Sequence, residues 1–515
     1  MAFEPARQEV PVRRYMSVGL VAAAVLATGV TPSFGTARSD PLAEFYTQKV
    51  TWSPCDEGRL ECAELVLPLD YKRPAAERIS LVISRKKATD PARRRGILVL
   101  NPGGPGGSGL GMPRFLADTE VAEVYDLIGF DPRGVGRSTA LRCRTVPDLA
   151  TFDTRPADSD FPKWAAEARA AEDACQRAAG GIRPFVNTPN TARDLDVVRA
   201  ALGEEKLNYL GYSYGTYLGA VYGSLFPTRL DRNVLDSAVH PEWIWREQFR
   251  AQAVALRRNV EDWAAWVAQH HDRFQLGATP QQVMAAIEQV AAALVTKPIG
   301  YQTRTTFDAA IGVGTRYRPL WSDLANSVLD LKAGKPSETS ALLAGSAQND
   351  LASGVFHTVT CEVDWPTDVE TYFEDMRVFR DRYPYGFGVV RAAPTTCAFR
   401  TFTPPEPAAT LKRDGYPVGL VIQAEGDTQT HYDSGPAMAT RLGHNLITVL
   451  DEGKHGLYGT GNTCVDRAVN RYMVDGILPP SSSNCPGDPR PNPTQPTSPQ
   501  HVQTYLNSQV LSTRP

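Results

Sequence analysis

Apolar residues follow two rhythms along this chain. Short, mainly apolar bursts lie at 65–69, 79–83, 96–100, 127–130, 207–210, 233–236, 418–422 and 446–450, most of them next to Gly, Pro, Asp or Asn. They are too brief for helices and predict buried strands. The stretches 165–179 and 191–202 have helical spacing instead, and in the second Leu195, Val198 and Leu202 fall on one face. Turn residues over 70–77 predict that the first two bursts form an antiparallel hairpin. Beyond it strands alternate with helices, which predicts an α/β fold with a mainly parallel central sheet covered by helices on both faces. From 241 to about 400 the bursts stop, and runs such as 249–268 and 280–294 are helical and rich in Ala, Trp and Gln. This segment reads as an inserted helical cap. The expected division is therefore a core in two parts, 38–240 and 401–485, a cap at 241–400, and a Pro-rich flexible tail at 486–515.

The N-terminus departs from this pattern. Arg13 and Arg14 precede an apolar run at 18–30, and Gly35-Thr36-Ala37 offers a small-x-small cleavage site. Residues 1–37 read as a secretory signal; the apolar run falls short of the roughly 20 residues that span a bilayer. Arg13-Arg14 fits a twin-arginine signal only loosely. The expected product is secreted, extracellular or associated with the cell wall, with no stable membrane anchor after cleavage. Eight cysteines (Cys55, Cys62, Cys143, Cys175, Cys361, Cys397, Cys464 and Cys485) suit an exported chain held by disulfides, and none forms a Cys-x-x-Cys pair that would suggest zinc. Nearest-neighbour pairing is expected. A net charge of -3 with 22% charged residues gives no reason to expect a nucleic-acid partner.

Chemistry enters at the end of the 207–210 burst, where Gly211-Tyr212-Ser213-Tyr214-Gly215 runs into a helix-compatible segment. That is the layout of a nucleophile elbow. A serine hydroxyl needs a histidine to take its proton and a carboxylate to orient that histidine. On an elbow of this kind the chain order is Ser…Asp/Glu…His, with both partners on loops after later strands. His240, His270, His271 and His357 precede those strands, and His501 lies beyond the Pro-rich stretch. His431 comes too soon after any acid on its own loop. His444 adjoins Leu442 and Gly443, an expected helix end where a cation is favoured. His455, directly after the last burst, is the candidate base. Asp427 follows a glycine on the loop after 418–422 and is the candidate acid; Glu425 and Asp433 are the alternatives. The glycine-rich run 101–109 lacks the lysine of a phosphate loop and reads as an oxyanion-hole loop. Pro102 and Pro105 have no N–H, so Gly104, then Gly103, would join Tyr214 as donors. Asp131, in the turn 131–138, reads as structural. The reaction so described requires no cofactor and no metal.

Several segments together resemble the secreted bacterial tripeptidyl aminopeptidases, α/β-hydrolase-fold relatives of the prolyl aminopeptidases. They are Pro-Gly-Gly-Pro-Gly-Gly-Ser-Gly (102–109), Asp-Pro-Arg-Gly-Val-Gly-Arg-Ser (131–138), Gly-Tyr-Ser-Tyr-Gly-Thr-Tyr (211–217), Phe-Pro-Thr-Arg-Leu-Asp-Arg-Asn-Val-Leu-Asp (226–236), the Cys361 segment, and Cys464 and Cys485 bracketing 478–480. The resemblance spans about 52–480. It implies the α/β-hydrolase fold, Ser213, Asp427 and His455 as the triad, and release of short N-terminal fragments from peptides with a free N-terminus. Two departures stand out: Pro102 where prolyl aminopeptidases carry His, and Cys361-Glu362-Val363-Asp364 where the family often shows Cys-x-Asp. Glu362 and Asp364 are thus both candidates to bind the substrate's amino group. The same triad also suits a carboxylesterase.

Overall fold

The protein is described by a computed structural model over residues 40–141, 143, 153–348, 354–494 and 498–509; the expected signal at 1–37 lies outside these described residues. The strands are β1 (Ser53–Cys55), β2 (Leu60–Pro68), β3 (Arg78–Lys86), β4 (Ile97–Asn101), β5 (Asp126–Phe130), β6 (Leu207–Tyr212), β7 (Leu230–Asp236), β8 (Leu420–Ala424), β9 (Asn445–Leu450) and β10 (Ser482–Pro486). They form one sheet in the order β1-β2-β3-β5-β4-β6-β7-β8-β9-β10. The first three strands are antiparallel, with Leu65 opposite Leu81, and β3 is antiparallel to β5. Every pair from β5 to β10 is parallel.

Because side chains alternate across a strand, continuous apolar bursts feed two cores at once. Ile97, Val99, Leu207, Tyr209, Leu235 and Val421 enter one cluster. Leu98, Leu100, Leu210, Tyr212, Val234, Leu420 and Ile422 enter another. Both faces are covered, as the bursts require.

The helical region has its own core, and it is not assembled from the 241–400 segment alone. Trp263, Val267, Ile287, Phe307, Trp321 and Leu343 pack with Phe161 and Trp164 from the helix Phe161–Ala179, and with Val502 and Leu506 from the helix Pro499–Gln509. The segment 486–515, expected as a flexible tail, therefore includes a docked helix, while β10 closes the second part of the core. Val502 and Leu506, four apart on one helical face, enter the core, and Tyr505 Oη donates to Asp488 at 3.2 Å beside them. Conversely, Trp245, Val355, Val359, Cys361, Trp365 and Cys397 fall in the predicted cap but pack into a sheet cluster. Disulfides join Cys55–Cys62, Cys143–Cys175, Cys361–Cys397 and Cys464–Cys485, each cysteine to its neighbour along the chain. The third of these lies beside the site.

Candidate active site

Strand β6 ends at Tyr212, and the helix Tyr214–Leu225 begins one residue later with Ser213 as its cap. Ser213 has φ 57° and ψ -127°, a conformation that costs an L-residue about 1–3 kcal/mol. Its surroundings hold it there. The Ser213 N–H donates to the Asp236 carbonyl at 3.0 Å, and its own carbonyl accepts from Thr216 N at 2.8 Å and Thr216 Oγ1 at 2.6 Å. The flanking glycines permit the turn, since a Cβ on Gly211 would lie 2.5 Å from the Gly215 carbonyl oxygen.

The loop after β8 carries Asp427, which is fully buried. The loop after β9 carries His455, whose Nδ1 lies 3.0 and 2.8 Å from the two carboxylate oxygens of Asp427. Asp427 Oδ1 also accepts from Gln429 N at 2.8 Å and Thr430 N at 3.1 Å, and Oδ2 from Thr430 Oγ1 at 2.9 Å. Burial alone would raise this carboxyl, but the His455 charge and hydrogen bond together with the loop N–H groups outweigh it and hold the group below its usual value. The alternatives lie elsewhere. Glu425 accepts from Asp451 N, and Asp433 is exposed, 3.6 Å from His431.

His444 does follow a helix, Ser434–Leu442, capped by Gly443 in the left-handed region, but it holds no cation. It is buried, its Nδ1 accepts from Gly419 N at 2.9 Å, and burial with Arg413 nearby depresses it to about 3. Desolvation outweighs the helix-end field.

One residue that the sequence reading placed only on a strand joins the two halves of the site. Asp236, at the end of β7, receives the Ser213 N–H on its backbone carbonyl. Its carboxylate accepts from Leu457 N (3.2 and 3.0 Å) and Tyr458 N (2.7 Å), just past His455. Ser237 Oγ accepts from Gly456 N at 2.8 Å. Elbow and histidine loop are thus tied through Asp236-Ser237. Burial raises the Asp236 carboxyl to about 6. The available signal was its place at the C-terminal end of a strand beside the elbow.

The glycine-rich loop follows β4 and runs against the elbow. A Cβ on Gly103 (φ 94°) would lie 2.5 Å from Tyr212 O, 2.9 Å from Ser213 Cβ and 3.2 Å from Tyr214 N. The Gly103 N–H already donates to Asn101 Oδ1 at 2.9 Å. This distinguishes Gly104 from Gly103 as an available donor beside Tyr214. Asp131 braces the loop, accepting from Ser108 Oγ at 2.5 Å.

The two acids near Cys361 part company. Asp364 is exposed and pairs with Arg400 Nη2 at 2.8 Å. Glu362 is buried behind the elbow and accepts from Thr188 N (2.7 Å), Thr188 Oγ1 (2.8 Å) and Trp245 Nε1 (3.3 Å). Thr188 Oγ1 in turn lies 2.9 Å from Tyr214 Oη. These hydrogen bonds do not offset burial, and the Glu362 carboxyl is raised from 4.5 to about 7. Among the described residues no cluster of His, Cys, Asp and Glu suits a metal ion, and no helix is long and apolar enough to cross a membrane.

Comparison with known proteins gives this geometry a lineage. Residues 96–313 match the alpha/beta hydrolase fold family, and 383–485 match the family described as TAP-like protein. A tripeptidyl aminopeptidase of Streptomyces lividans is 34% identical over 464 residues, covering 84% of this chain and 85% of that protein. Serine protease Hip1 of Mycobacterium tuberculosis is 31% identical over 480 residues (85% and 91%). A carboxylesterase B of Mycobacterium tuberculosis is 32% identical over 511 residues (91% and 95%). At that identity across most of both chains, this protein belongs to the tripeptidyl aminopeptidase family of serine hydrolases with the α/β-hydrolase fold.

Proposed function

We propose that this is an exported serine exopeptidase that releases tripeptides or shorter fragments from the free N-terminus of peptides. The observation that carries the reading is the His455 imidazole seated on both oxygens of buried Asp427, on a loop tied through Asp236 to the Ser213 elbow. Ser213 Oγ attacks the scissile carbonyl carbon, and its proton passes to His455 Nε2. The N–H groups of Tyr214 and Gly104 receive the charge that develops on the carbonyl oxygen. Collapse breaks the C–N bond, and His455 gives its proton to the leaving amine. Water then repeats the sequence on the acyl-enzyme, releasing the N-terminal fragment and restoring Ser213. Asp427 holds the imidazole tautomer and stabilises the imidazolium throughout.

Glu362 gives the reading its exopeptidase character. A carboxyl buried without a cation, raised to about 7, gains most when a substrate's α-ammonium arrives to pair with it. Asp364, already paired and exposed, is the weaker candidate. The signal reading of residues 1–37 and four disulfides support export.

The carboxylesterase relative sustains a second reading with the same triad. A free-amino tripeptide p-nitroanilide, its N-acetyl form and a p-nitrophenyl ester separate the two. An aminopeptidase loses the blocked peptide by about 2–5 kcal/mol in kcat/KM, the cost of leaving a buried charge unpaired. Equal turnover of free and blocked peptides, with faster ester cleavage, would favour the esterase.

A further inference from the structure

The helix Arg246–Gln269 places Gln248, Gln252 and Asn259 on one side, at spacings of four and seven residues. All three are buried, and all three turn their amide N–H groups onto backbone carbonyls of the loop that carries Asp427. Gln248 Nε2 donates to Gln429 O at 3.0 Å, Gln252 Nε2 to the same oxygen at 2.7 Å, and Asn259 Nδ2 to Gly426 O at 2.7 Å. The glutamine amides are themselves oriented: the His240 N–H donates to Gln248 Oε1 at 3.4 Å, and Arg391 Nη1 donates to Gln252 Oε1.

The geometry of a peptide unit turns this contact into a constraint on the site. The Gln429 carbonyl and the Thr430 N–H belong to one planar trans peptide and point in opposite directions. The N–H end donates to Asp427 Oδ1; the carbonyl end is gripped by two carboxamides from the helical region. Fixing one end fixes the other. We infer that Gln248 and Gln252 are positioning residues for the hydrolytic reaction, acting through the Gln429–Thr430 peptide to hold the Asp427 carboxylate in line with His455. The helical region then completes the catalytic geometry as well as covering it. This rests on the triad reading above.

The test uses the full exported chain and a probe too small to need a peptide subsite, diisopropyl fluorophosphate, whose rate of attachment to Ser213 reports on the nucleophile, the base and the oxyanion donors without peptide binding. Gln248→Leu/Gln252→Leu keeps the volume and removes both donors. Attachment should slow about tenfold, the rate equivalent of one net hydrogen bond, while KM for a free-amino tripeptide anilide moves less than about twofold. The low-field proton resonance of the His455 Nδ1–H···Asp427 bond should shift or broaden. The single Gln252→Leu variant should show a smaller change of the same kind, and it decides the matter if the double variant does not fold. Wild-type attachment rates, or slower attachment with an unchanged resonance, would overturn the inference. If the wild-type protein itself is not labelled at Ser213, the triad reading fails and this inference falls with it.

Discussion

Replacing Glu362 by glutamine separates what this carboxyl contributes to binding from what it costs the fold. Its value is raised from 4.5 to about 7 by burial. Folding therefore opposes ionisation. The penalty is absent below about pH 4.5, grows as pH rises, and above about pH 7 reaches about 3 kcal/mol. The Glu362→Gln amide can accept from Thr188 N–H and donate to Thr188 Oγ1. It cannot also accept the long bond from Trp245 Nε1, a loss of about 1 kcal/mol. A net gain of about 2 kcal/mol is left at pH 8, against a net loss of about 1 kcal/mol at pH 4. With an unfolding entropy of roughly 2.1 cal/mol/K per residue, the gain at pH 8 is a rise in Tm of about 2 °C for a chain of this size. Activity should move the other way. For a free-amino tripeptide anilide, kcat/KM should fall by about 30-fold or more, the equivalent of at least 2 kcal/mol for a lost buried charge pair. An ester without an amino group should be cleaved as by the wild type. Thermal melts at pH 4 and pH 8, with the two substrates run in parallel, give every term. Equal losses on peptide and ester, or a variant that is no more stable at pH 8 than at pH 4, would refute the reasoning.

Other substitutions probe the remaining parts. Ser213→Ala should lower kcat by roughly 10⁴- to 10⁶-fold and abolish labelling by diisopropyl fluorophosphate, with the circular-dichroism spectrum unchanged. Asp427→Asn presents an N–H where the imidazole N–H must point and should lower kcat by about 10⁴-fold. Because Asp427 is held below its usual value, its ionised form stabilises the fold above about pH 4 and that contribution fades as pH falls. The same variant should therefore show a flatter acid-unfolding curve over that range. Gly103→Ala would drive a methyl against Tyr212 O and Ser213 Cβ at a positive φ. We expect kcat to fall by about 10²- to 10³-fold, as when an oxyanion donor is misplaced, equally for peptide and ester.

Much of this protein was legible before its structure. The strands announced themselves because both their faces are buried, and helices 188–201 and 246–269 because apolar residues recur in them at helical spacing. The elbow was legible because Gly-x-Ser-x-Gly after a strand is a local geometry, set by φ/ψ limits that act within five residues. Asp427 and His455 were candidates because each follows a strand in chain order, and the structure brings the two side chains within hydrogen-bond distance. The disulfides join cysteines no more than 36 residues apart, and the nearest-neighbour expectation agrees with them, although chain order alone does not fix the connectivity.

What the sequence could not reveal was whatever depends on which surfaces meet. Glu362 and Asp364 stand two residues apart in one acidic segment, yet one is buried under Trp245 and the other is exposed beside Arg400. Only packing against the elbow decides that. Gly104 was preferred to Gly103 in the sequence only by order, and the physical reason, the Gly103 N–H already given to Asn101, is visible only in the structure. Phe161–Ala179 and Pro499–Gln509 joined the core of the helical region from both sides of the predicted cap because apolar faces bury against the best surface available, without regard to distance along the chain. Asp236, Gln248 and Gln252 carry no motif; their partners are backbone groups 177 to 222 residues away along the chain. Local sequence determined the elements and the order of the reactive groups. The tertiary structure alone decided which polar groups are buried together, because desolvation and hydrogen-bond satisfaction are properties of the packed interior.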